Sequence, residues 1–442
     1  MSEKRPNIVV FFTDQQRWDT VSERVTPNLC AMAESGTEFE YSFTCQPVCG
    51  PARACIQTGV YATENGCITN AVAMKEDATT IAKILREYGY LTAYVGKWHL
   101  ASGMTDEQGR YETTAIPQAR RGGYEYWRAS DVLEFTSDGS GGYVFDENGN
   151  KLEFSGCRAD KITDFALEFI ENAPEDRPFF LFLSHIEPHH QNSTGRFECT
   201  PEDRVAVEGV PVPDDLAAFD GNYAGNYTDY LGCCHGLDRN FGRVADALKK
   251  KGVYDDTVIF FTSDHGCHFM TRNSEYKRSC HDSSIRTPLF VFGGKYPKGK
   301  KCEALAGLID LPYSVLSAAG IEPPSYFRGK DLAKIALGED GRDALYIQIS
   351  EDKLGRAVRT DRYVYAVRSR GKKDGWNKAY SDVYIEDYLY DTAKDPCETR
   401  NLIRDPSYRG VKRDLAERLE RFAQEAGEPP FVIKRRIFAP KK

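Results

Sequence analysis

Residues 258–266 of this 442-residue chain read VIFFTSDHG, a short apolar run that stops abruptly at polar residues. The run is rich in β-branched and aromatic residues and too short for a helix, so it predicts a buried strand. Comparable runs recur at residues 8–12, 91–95, 179–183 and 289–292, and segments with helical spacing lie between them. This alternation predicts an α/β fold in which helices sandwich a large, mostly parallel or mixed sheet.

The character of the sequence changes near residue 341. Four short strand-like segments follow at 345–349, 356–360, 363–367 and 384–390, and a polar helix is predicted near 411–426. Strands that follow one another so closely favour an antiparallel sheet. We therefore predict a large unit over residues 1–340 and a smaller α+β unit over residues 341–442.

Composition and charge exclude several classes of protein. Apolar residues make up 41% of the chain, enough for a sizeable core, which excludes global disorder. The net charge of −8 disfavours a nucleic-acid binder. The apolar run at 8–12 is too short for a secretory signal, and no stretch approaches the roughly 18 apolar residues of a membrane span. The thirteen cysteines show no spacing typical of a disulfide framework. Together with the short apolar runs, they predict a cytoplasmic protein with no membrane partner.

Residues that ligate metals or move protons follow four of the five predicted strands. They are Asp14 and Gln15, then Lys97 and His99, then His189, and finally Asp264 and His265. In an open α/β sheet the functional crevice lies outside the carboxyl ends of the strands, so these side chains are expected to converge. Two carboxylates with an amide oxygen suit a hard divalent cation better than zinc. The candidate metal ligands are Asp14, Gln15, Asp264 and His265; the alternative is that the two aspartates cap helices.

Residues 45–59, CQPVCGPARACIQTG, contain a cysteine that needs its own explanation. Pro51 suits the first turn of a helix, which places Cys49 at a helix N-terminus, where the helix dipole favours an anionic side chain. Cys49 is therefore a candidate nucleophile or low-pKa thiol. The alternative is a structural cysteine.

The run Cys49-x-Pro51-x-Arg53, followed by Thr58-Gly59, resembles the signature of the type I sulfatases. In that family a maturating enzyme oxidises the cysteine to Cα-formylglycine. Further matches in the same order are Asp14, Gly96-Lys97-Trp98-His99, Pro188-His189, Ser263-Asp264-His265-Gly266, Lys277, Arg286-Thr287-Pro288 and residues 389–402. The resemblance implies an alkaline phosphatase-like fold, a catalytic unit over residues 1–340, and hydrolysis of a sulfate ester of a carbohydrate or another small molecule.

The resemblance also implies how the reaction would proceed. The hydrated aldehyde at position 49 would supply the attacking hydroxyl, activated by calcium at the four candidate metal ligands. Arg53 would anchor the hydrate. His99 would take the proton from its second hydroxyl, so that sulfate leaves and the aldehyde returns.

The substrate would be held by a further set of residues that the resemblance implies. Lys97, His189 and Lys277 would clasp the sulfate, and His189 or Lys277 would protonate the departing alcohol. His268 and His281 lie close in sequence to the metal and lysine motifs and would shape the substrate pocket.

One departure from the commonest family pattern keeps alternatives open. Many sulfatases carry two adjacent aspartates where this chain has Asp14-Gln15, and glutamine lowers the negative charge of the site by one. Magnesium or manganese therefore stays open beside calcium. A phosphonate monoester or phosphodiester hydrolase with the same formylglycine is the alternative function; a two-zinc phosphatase and an inactive binding module fit less well.

The expected partners follow from the same resemblance. They are a small sulfated substrate, such as a mono- or disaccharide, and a formylglycine-generating enzyme. The oligomeric state is left open.

Overall fold

The structure, a computed structural model, describes residues 5–435. The strands are β1 (Asn7–Thr13), β2 (Gly36–Phe39), β3 (Ser42–Phe43), β4 (Leu91–Lys97), β5 (Thr105–Asp106), β6 (Gly109–Arg110), β7 (Tyr126–Ser130), β8 (Ser137–Asp138), β9 (Gly141–Asp146), β10 (Lys151–Ser155), β11 (Phe179–Ser184), β12 (Thr257–Ser263), β13 (Leu289–Phe292), β14 (Lys300–Cys302), β15 (Ala306–Gly307), β16 (Ala344–Ile349), β17 (Gly355–Thr360), β18 (Tyr363–Arg368), β19 (Val383–Asp391) and β20 (Val432–Lys434).

The α-helices differ widely in length. They are α1 (Pro27–Ala33), α2 (Cys49–Thr58), α3 (Ala62–Asn65), α4 (Ile81–Glu87), α5 (Leu133–Thr136), α6 (Arg158–Asn172), α7 (Pro201–Ala206), α8 (Asp214–Ala217), α9 (Tyr227–Lys251), α10 (Asp282–Ile285), α11 (Asp310–Ala318), α12 (Leu332–Leu337), α13 (Asp374–Asn377) and α14 (Arg409–Glu425).

A large mixed sheet forms the centre of the molecule. Its strand order is β10-β9-β7-β4-β11-β1-β12-β13-β2-β14, with β8 paired to β9. Strands β7, β4, β11, β1 and β12 run parallel, and β13 is antiparallel to β12. The five apolar runs predicted from the sequence are the neighbours β4, β11, β1, β12 and β13. The predicted α/β fold class is confirmed.

Helices cover both faces of this sheet, and the alternating side chains of β1 show how. Val10 and Phe12 belong to a core with α4, α11 and α12, whereas Val9 and Phe11 belong to a second core with α6 and α9. Successive strand residues point to opposite faces. A strand buried on both faces is therefore mostly apolar, and its polar residues lie at or near its ends.

The smaller sheet is built from residues 344–434. Strands β16 to β19 form the predicted antiparallel meander, and β20 adds a parallel pairing to β19 that the sequence did not predict. Helix α14 packs on this sheet through Leu415, Leu419 and Ala423. The strands of the larger unit end by Gly307; the boundary at residue 340 stays a prediction. Within residues 5–435, no helix has both the length and the apolar character needed to cross a membrane.

Candidate active site

Two carboxylates meet where β1 and β12 end. Thr13 and Ser263, the last residues of these strands, are register partners, so Asp14 and Asp264 leave the sheet side by side. Both carboxylates are buried, and neither stands at the N-cap of a helix in the described residues. Gln15 adopts a left-handed φ of +71°, and its N–H donates to Oδ1 of Asp264 at 2.9 Å. The sheet register thus brings the two predicted ligand pairs together.

Cys49 lies directly against this carboxylate pair. It is the first residue of α2, a helix in which every residue is buried. Its Sγ lies 2.9 Å from Nζ of Lys277, 3.4 Å from Nε2 of His265 and 3.5 Å from Oδ1 of Asp14. The predicted nucleophile therefore sits at a helix N-terminus, where backbone N–H groups add positive potential.

Arg53, one helical turn after Cys49, ties the helix to the strand ends. Its Nη2 donates to Oδ2 of Asp14 at 3.0 Å and approaches Oδ2 of Asp264 at 3.4 Å. Its Nη1 donates to Oγ of Ser184 at 2.6 Å and to the Lys97 carbonyl at 3.1 Å. The Arg53 guanidinium thus links the carboxyl ends of four neighbouring parallel strands, β4, β11, β1 and β12.

Two further predicted residues reach the same centre from the ends of β4 and β11. Nζ of Lys97 lies 2.9 Å from Oδ2 of Asp14 and 3.1 Å from Oε1 of Glu134. His189 lines the cleft, and its Nδ1 lies 2.6 Å from the backbone carbonyl of His190. A carbonyl only accepts hydrogen bonds, so Nδ1 carries the proton and Nε2 is left for the cleft.

His99 lines the cleft on a strained piece of backbone. Its φ of +56° is unusual for a residue with a Cβ. Asp131 holds this turn: its carbonyl accepts the His99 N–H at 2.8 Å, and its Oδ1 accepts the N–H groups of Leu100 and Ala101 at 2.9 Å. Nδ1 of His99 has no hydrogen-bond partner within residues 5–435.

The charges around Cys49 change the acidity of the thiol and of its neighbours. Burial and the charge of Asp14 raise the pKa of Cys49, but Lys277 and the other nearby cations outweigh them and bring it to about 6. Burial also raises the pKa of Asp14, yet Lys97 and the cations around it hold that pKa well below its usual range. Burial and the charge of Asp14 raise the pKa of Asp264 to about 6. The pocket therefore favours an anion at position 49.

Two of the histidines that line the cleft, His99 and His189, are neutral near pH 7. Burial, helped by Lys97, lowers the pKa of His99 to about 3. Burial and Lys277 lower the pKa of His189 well below its usual value. In a neutral imidazole one ring nitrogen carries a proton and the other does not. The unprotonated nitrogen can accept a proton but cannot donate one.

The side chains around Asp14 fit a hard divalent cation. Ligand atoms of Asp14, Cys49, Asp264 and His265 lie within 4.8 Å of one another. Oε1 of Gln15 is buried and has no hydrogen-bond partner among the residues that the structure describes. Such an orphaned oxygen is costly unless something binds it. The clustered carboxylates and this free amide oxygen match the preferences of calcium or magnesium.

Comparison with known protein families identifies the family of this chain. The sulfatase family model matches residues 6–321, more than half of the chain. The chain belongs to the sulfatase family. A second model, described as the C-terminal part of N-sulphoglucosamine sulphohydrolase, matches residues 274–425. The predicted family is confirmed, and the protein is a sulfuric ester hydrolase.

Characterised relatives align with nearly the whole sulfatase. It is 27% identical to an ulvan-active sulfatase of Formosa agariphila, over 96% of this chain and 82% of the relative. It is 26% identical to an N-acetylglucosamine-6-O-sulfatase of Bacteroides thetaiotaomicron, over 94% of this chain and 86% of the relative.

Solved structures match the fold of the sulfatase over nearly its whole length. A structure in complex with its substrate D-glucosamine-2-N,6-O-disulfate has a TM-score of 0.79 and 23% identity, over 96% of this chain and 98% of the other. A phosphonate monoester hydrolase of Silicibacter pomeroyi has a TM-score of 0.69 and 20% identity, over 96% of both chains. At these identities the matches show the shared fold alone.

Two predicted substrate-pocket residues of the sulfatase lie away from the cleft. The cleft in front of Cys49 does not include His268 or His281. Nε2 of His268 bonds to the Lys277 backbone carbonyl at 3.0 Å, beneath the lysine. Nε2 of His281 lies 3.2 Å from the hydroxyl of Tyr390 in the smaller unit. Closeness in sequence to the motifs did not place these imidazoles in the pocket, because the chain turns them inward.

Several residues at the centre of the sulfatase were missed by sequence reasoning. Ser184 ends β11, so the rule that found the other polar residues at strand ends could have found it. Glu134, which pairs with Lys97, lies in the four-residue helix α5. Asn70, whose Oδ1 accepts the Gly50 N–H at 2.8 Å, lies in a loop. Neither short segment carries a sequence signal.

Proposed function

We propose that this sulfatase hydrolyses the sulfate ester of a sulfated carbohydrate, with Cys49 converted to Cα-formylglycine as its nucleophile. The proposal rests on the position of Cys49. Its side chain contacts Lys277 and Asp14 and lies at the candidate cation site. The hydrated aldehyde would present one hydroxyl to attack sulfur and a second whose later deprotonation releases sulfate. A divalent cation bound there would supply positive charge to the sulfuryl oxygens and favour an ionised hydroxyl. We propose calcium, with magnesium or manganese as alternatives.

The cations of the site divide into two groups by what they touch. Lys277 touches residue 49 itself, so it meets the substrate oxygens next to the attacking atom. Lys97 and Arg53 bond to Asp14, and they hold that carboxylate in place while adding fixed positive charge near the sulfate. Fixed charge that needs no rearrangement is the main means of stabilising a loose transition state of this type.

The proton transfers follow from the hydrogen bonds. Neutral His189 donates through Nδ1 to a backbone carbonyl, which leaves an unprotonated Nε2 facing the cleft. Lys277 has a raised pKa, because nearby negative charges outweigh its burial, and it keeps its proton. Of the two predicted proton donors to the departing alcohol, Lys277 therefore fits better. Neutral His99, with its free Nδ1, fits the acceptor of the proton that releases sulfate.

A carbohydrate substrate is supported by the relatives of this sulfatase. Two of them are named for action on ulvan and on N-acetylglucosamine 6-sulfate. The second candidate is hydrolysis of a phosphonate monoester or phosphodiester. It is favoured by one observation, the glutamine at position 15, where many sulfatases carry a second aspartate.

A substrate screen tests the proposed function. The protein is produced together with a formylglycine-generating enzyme, and conversion at position 49 is verified by mass spectrometry of the peptide that contains it. Sulfated mono- and disaccharides are then compared with phosphonate monoesters that share a leaving group with aryl sulfates. Faster turnover of the sulfates supports the proposal; faster turnover of the phosphonates establishes the alternative.

We also propose a cytoplasmic setting. The thirteen cysteines, all within residues 5–435, are free thiols, as a reducing compartment favours. Fractionation of the native cell would place the protein directly, and recovery from an extracytoplasmic fraction would contradict this proposal.

A further inference from the structure

Two exposed aromatic side chains line the cleft in front of Cys49. The cleft has a volume of about 320 Å³ and includes His99, His189 and Lys277. Phe135 and Trp376, which are 53% and 45% exposed, line the same cleft. Exposed apolar surface that faces a binding cleft marks a place where a ligand is bound.

Trp376 is connected to the nucleophile through the lysine loop. The guanidinium of Arg278 lies over its indole ring, 5.5 Å from the ring centroid. Arg278 follows Lys277, whose Nζ contacts Sγ of Cys49 at 2.9 Å. The indole is thus contacted by Arg278, the neighbour in sequence of the lysine that touches the nucleophile.

A second connection fixes the short helix α13 that carries Trp376. The N–H of Glu351 donates to the carbonyl of Gly375 at 2.8 Å. A Cβ at Gly375 would lie 2.8 Å from the backbone carbonyl carbon of Lys353, so this helix packs closely against the loop. Oε1 of Glu351 also accepts the N–H of Asn70 at 2.6 Å. Asn70 in turn bonds the first turn of α2, so this chain of hydrogen bonds links the helix that carries Trp376 to the helix that begins with Cys49.

The charges of the outer cleft are already matched in pairs. Arg278 forms ion pairs with Glu351 and, at 3.2 Å, with Glu275. Arg110 pairs with Glu112 at 2.7 Å. Each arginine already has a carboxylate partner, which a second sulfate or a carboxylate of the substrate would have to displace. An aromatic face beside paired charges and hydrogen-bonding groups suits the apolar face and the hydroxyls of a neutral sugar ring.

We propose that Trp376 is the platform on which the sugar ring of the substrate stacks, and that the ring bears a single sulfate and no other anionic group. This inference rests on the proposed function and names the substrate class of that site. The smaller unit thereby contributes a specificity-determining residue to a cleft whose reactive groups come from the larger unit.

Matched substrates and variants test the platform. The substrates are a monosulfated pyranose and a small acyclic alkyl sulfate, and the variants are Trp376→Ala, Trp376→Phe and the control Tyr326→Ala. Tyr326 is also 45% exposed but lies outside the cleft. For Trp376→Ala, kcat/KM for the pyranose sulfate should fall about tenfold, mainly through KM, with less than twofold change for the alkyl sulfate. Trp376→Phe should keep most of the activity. Equal losses on both substrates, or no loss, would overturn the inference.

A binding measurement separates this inference from the proposed function. Of the four tryptophans, Trp98 and Trp127 are fully buried and Trp18 lies outside the cleft lining. In a Cys49→Ser background, the monosulfated pyranose should change the emission of Trp376, and Trp376→Phe should abolish that change. An emission change without any sulfatase turnover in the matured enzyme would reject the proposed function and keep the platform. No emission change at saturating substrate would reject the platform.

Discussion

At the inner end of the cleft, Asp14, Arg53 and Lys97 are buried at the ends of parallel strands or on the helix beside them, and each contacts at least two charged or polar groups. At the outer end, Arg110 and Trp376 are largely exposed and come from a two-residue strand and a four-residue helix. The residues at the inner end are held by the large sheet, and both faces of that sheet are packed against the hydrophobic core. The outer end can change without disturbing that sheet, which suits the part of the cleft that we propose to select the substrate.

The ion pairs at the two ends also differ in how much they contribute to folding stability. Removing one member of a buried ion pair leaves the other charge uncompensated, which costs about 3–5 kcal/mol, whereas an exposed pair contributes about 0–1 kcal/mol. Arg53 with Asp14 is a pair of the first kind, and Arg110 with Glu112, whose arginine is 69% exposed, is closer to the second. Loss of an ion pair at the inner end should therefore cost several kcal/mol of folding stability, whereas loss of the exposed ion pair at the outer end should cost little.

Cys49→Ala should have the largest effect, because it removes the side chain that we propose to become the nucleophile. Activity toward a sulfated sugar should fall by about 10³-fold or more, measured with matured enzyme. Cys45→Ala is the matched control, since Cys45 is buried and also precedes x-Pro. It should retain activity within a few-fold. A Cys49→Ala variant that desulfates as fast as the wild type would end the proposal.

Lys277→Met should come next, because it removes the cation in contact with residue 49 and the proposed proton donor. We expect kcat to fall by about 10²–10³-fold for an alkyl sulfate. The loss should be clearly smaller for an aryl sulfate, whose leaving group needs less help from a proton. Lys301→Met, at an exposed lysine paired with Glu40, serves as the control. Equal losses on alkyl and aryl sulfates would show that Lys277 binds sulfate without protonating the leaving oxygen.

The contrast between the two ends also explains which site residues could be predicted from the sequence. Asp14 and Asp264 could be predicted because parallel strands bring their carboxyl ends to one edge, and Thr13 and Ser263 are indeed register partners. Cys49 could be predicted because a helix start and a family signature coincide there. These residues lie on the regular part of the fold, where spacing along the chain determines position in space.

The residues that could not be predicted lie where the chain follows no regular period. Glu134 and Trp376 stand in four-residue helices between strands, and no spacing rule places them in the cleft. His268 was expected in the pocket because it lies three residues beyond His265. Just after His268, Phe269 and Met270 both have positive φ, in an irregular turn whose geometry spacing alone could not predict.

Asp131→Asn should alter the pH dependence of stability rather than the chemistry. Burial raises the pKa of Asp131 to about 6, against about 4 in the unfolded chain. Its protonated form therefore favours the folded state below pH 4, and that contribution is lost as the pH rises through 6. Asparagine is neutral throughout, so the variant should gain about 2 kcal/mol relative to wild type between pH 4 and pH 7.5. Unfolding midpoints of both proteins at the two pH values measure this gain; an unchanged difference would show that Asp131 is not protonated in this range.

Arg110→Ala should have the smallest effect and thereby define the outer end of the cleft. Arg110 is 69% exposed, and its partner Glu112 keeps a second hydrogen bond, from the Gly103 N–H at 3.0 Å. Loss of this exposed pair should cost little stability, and kcat/KM for a monosulfated sugar should stay within about threefold of wild type. A substrate that carried a second anionic group over Arg110 would lose far more. The ratio of the two losses, measured on mono- and disulfated forms of one sugar, would therefore show whether this end of the cleft binds neutral or charged substituents.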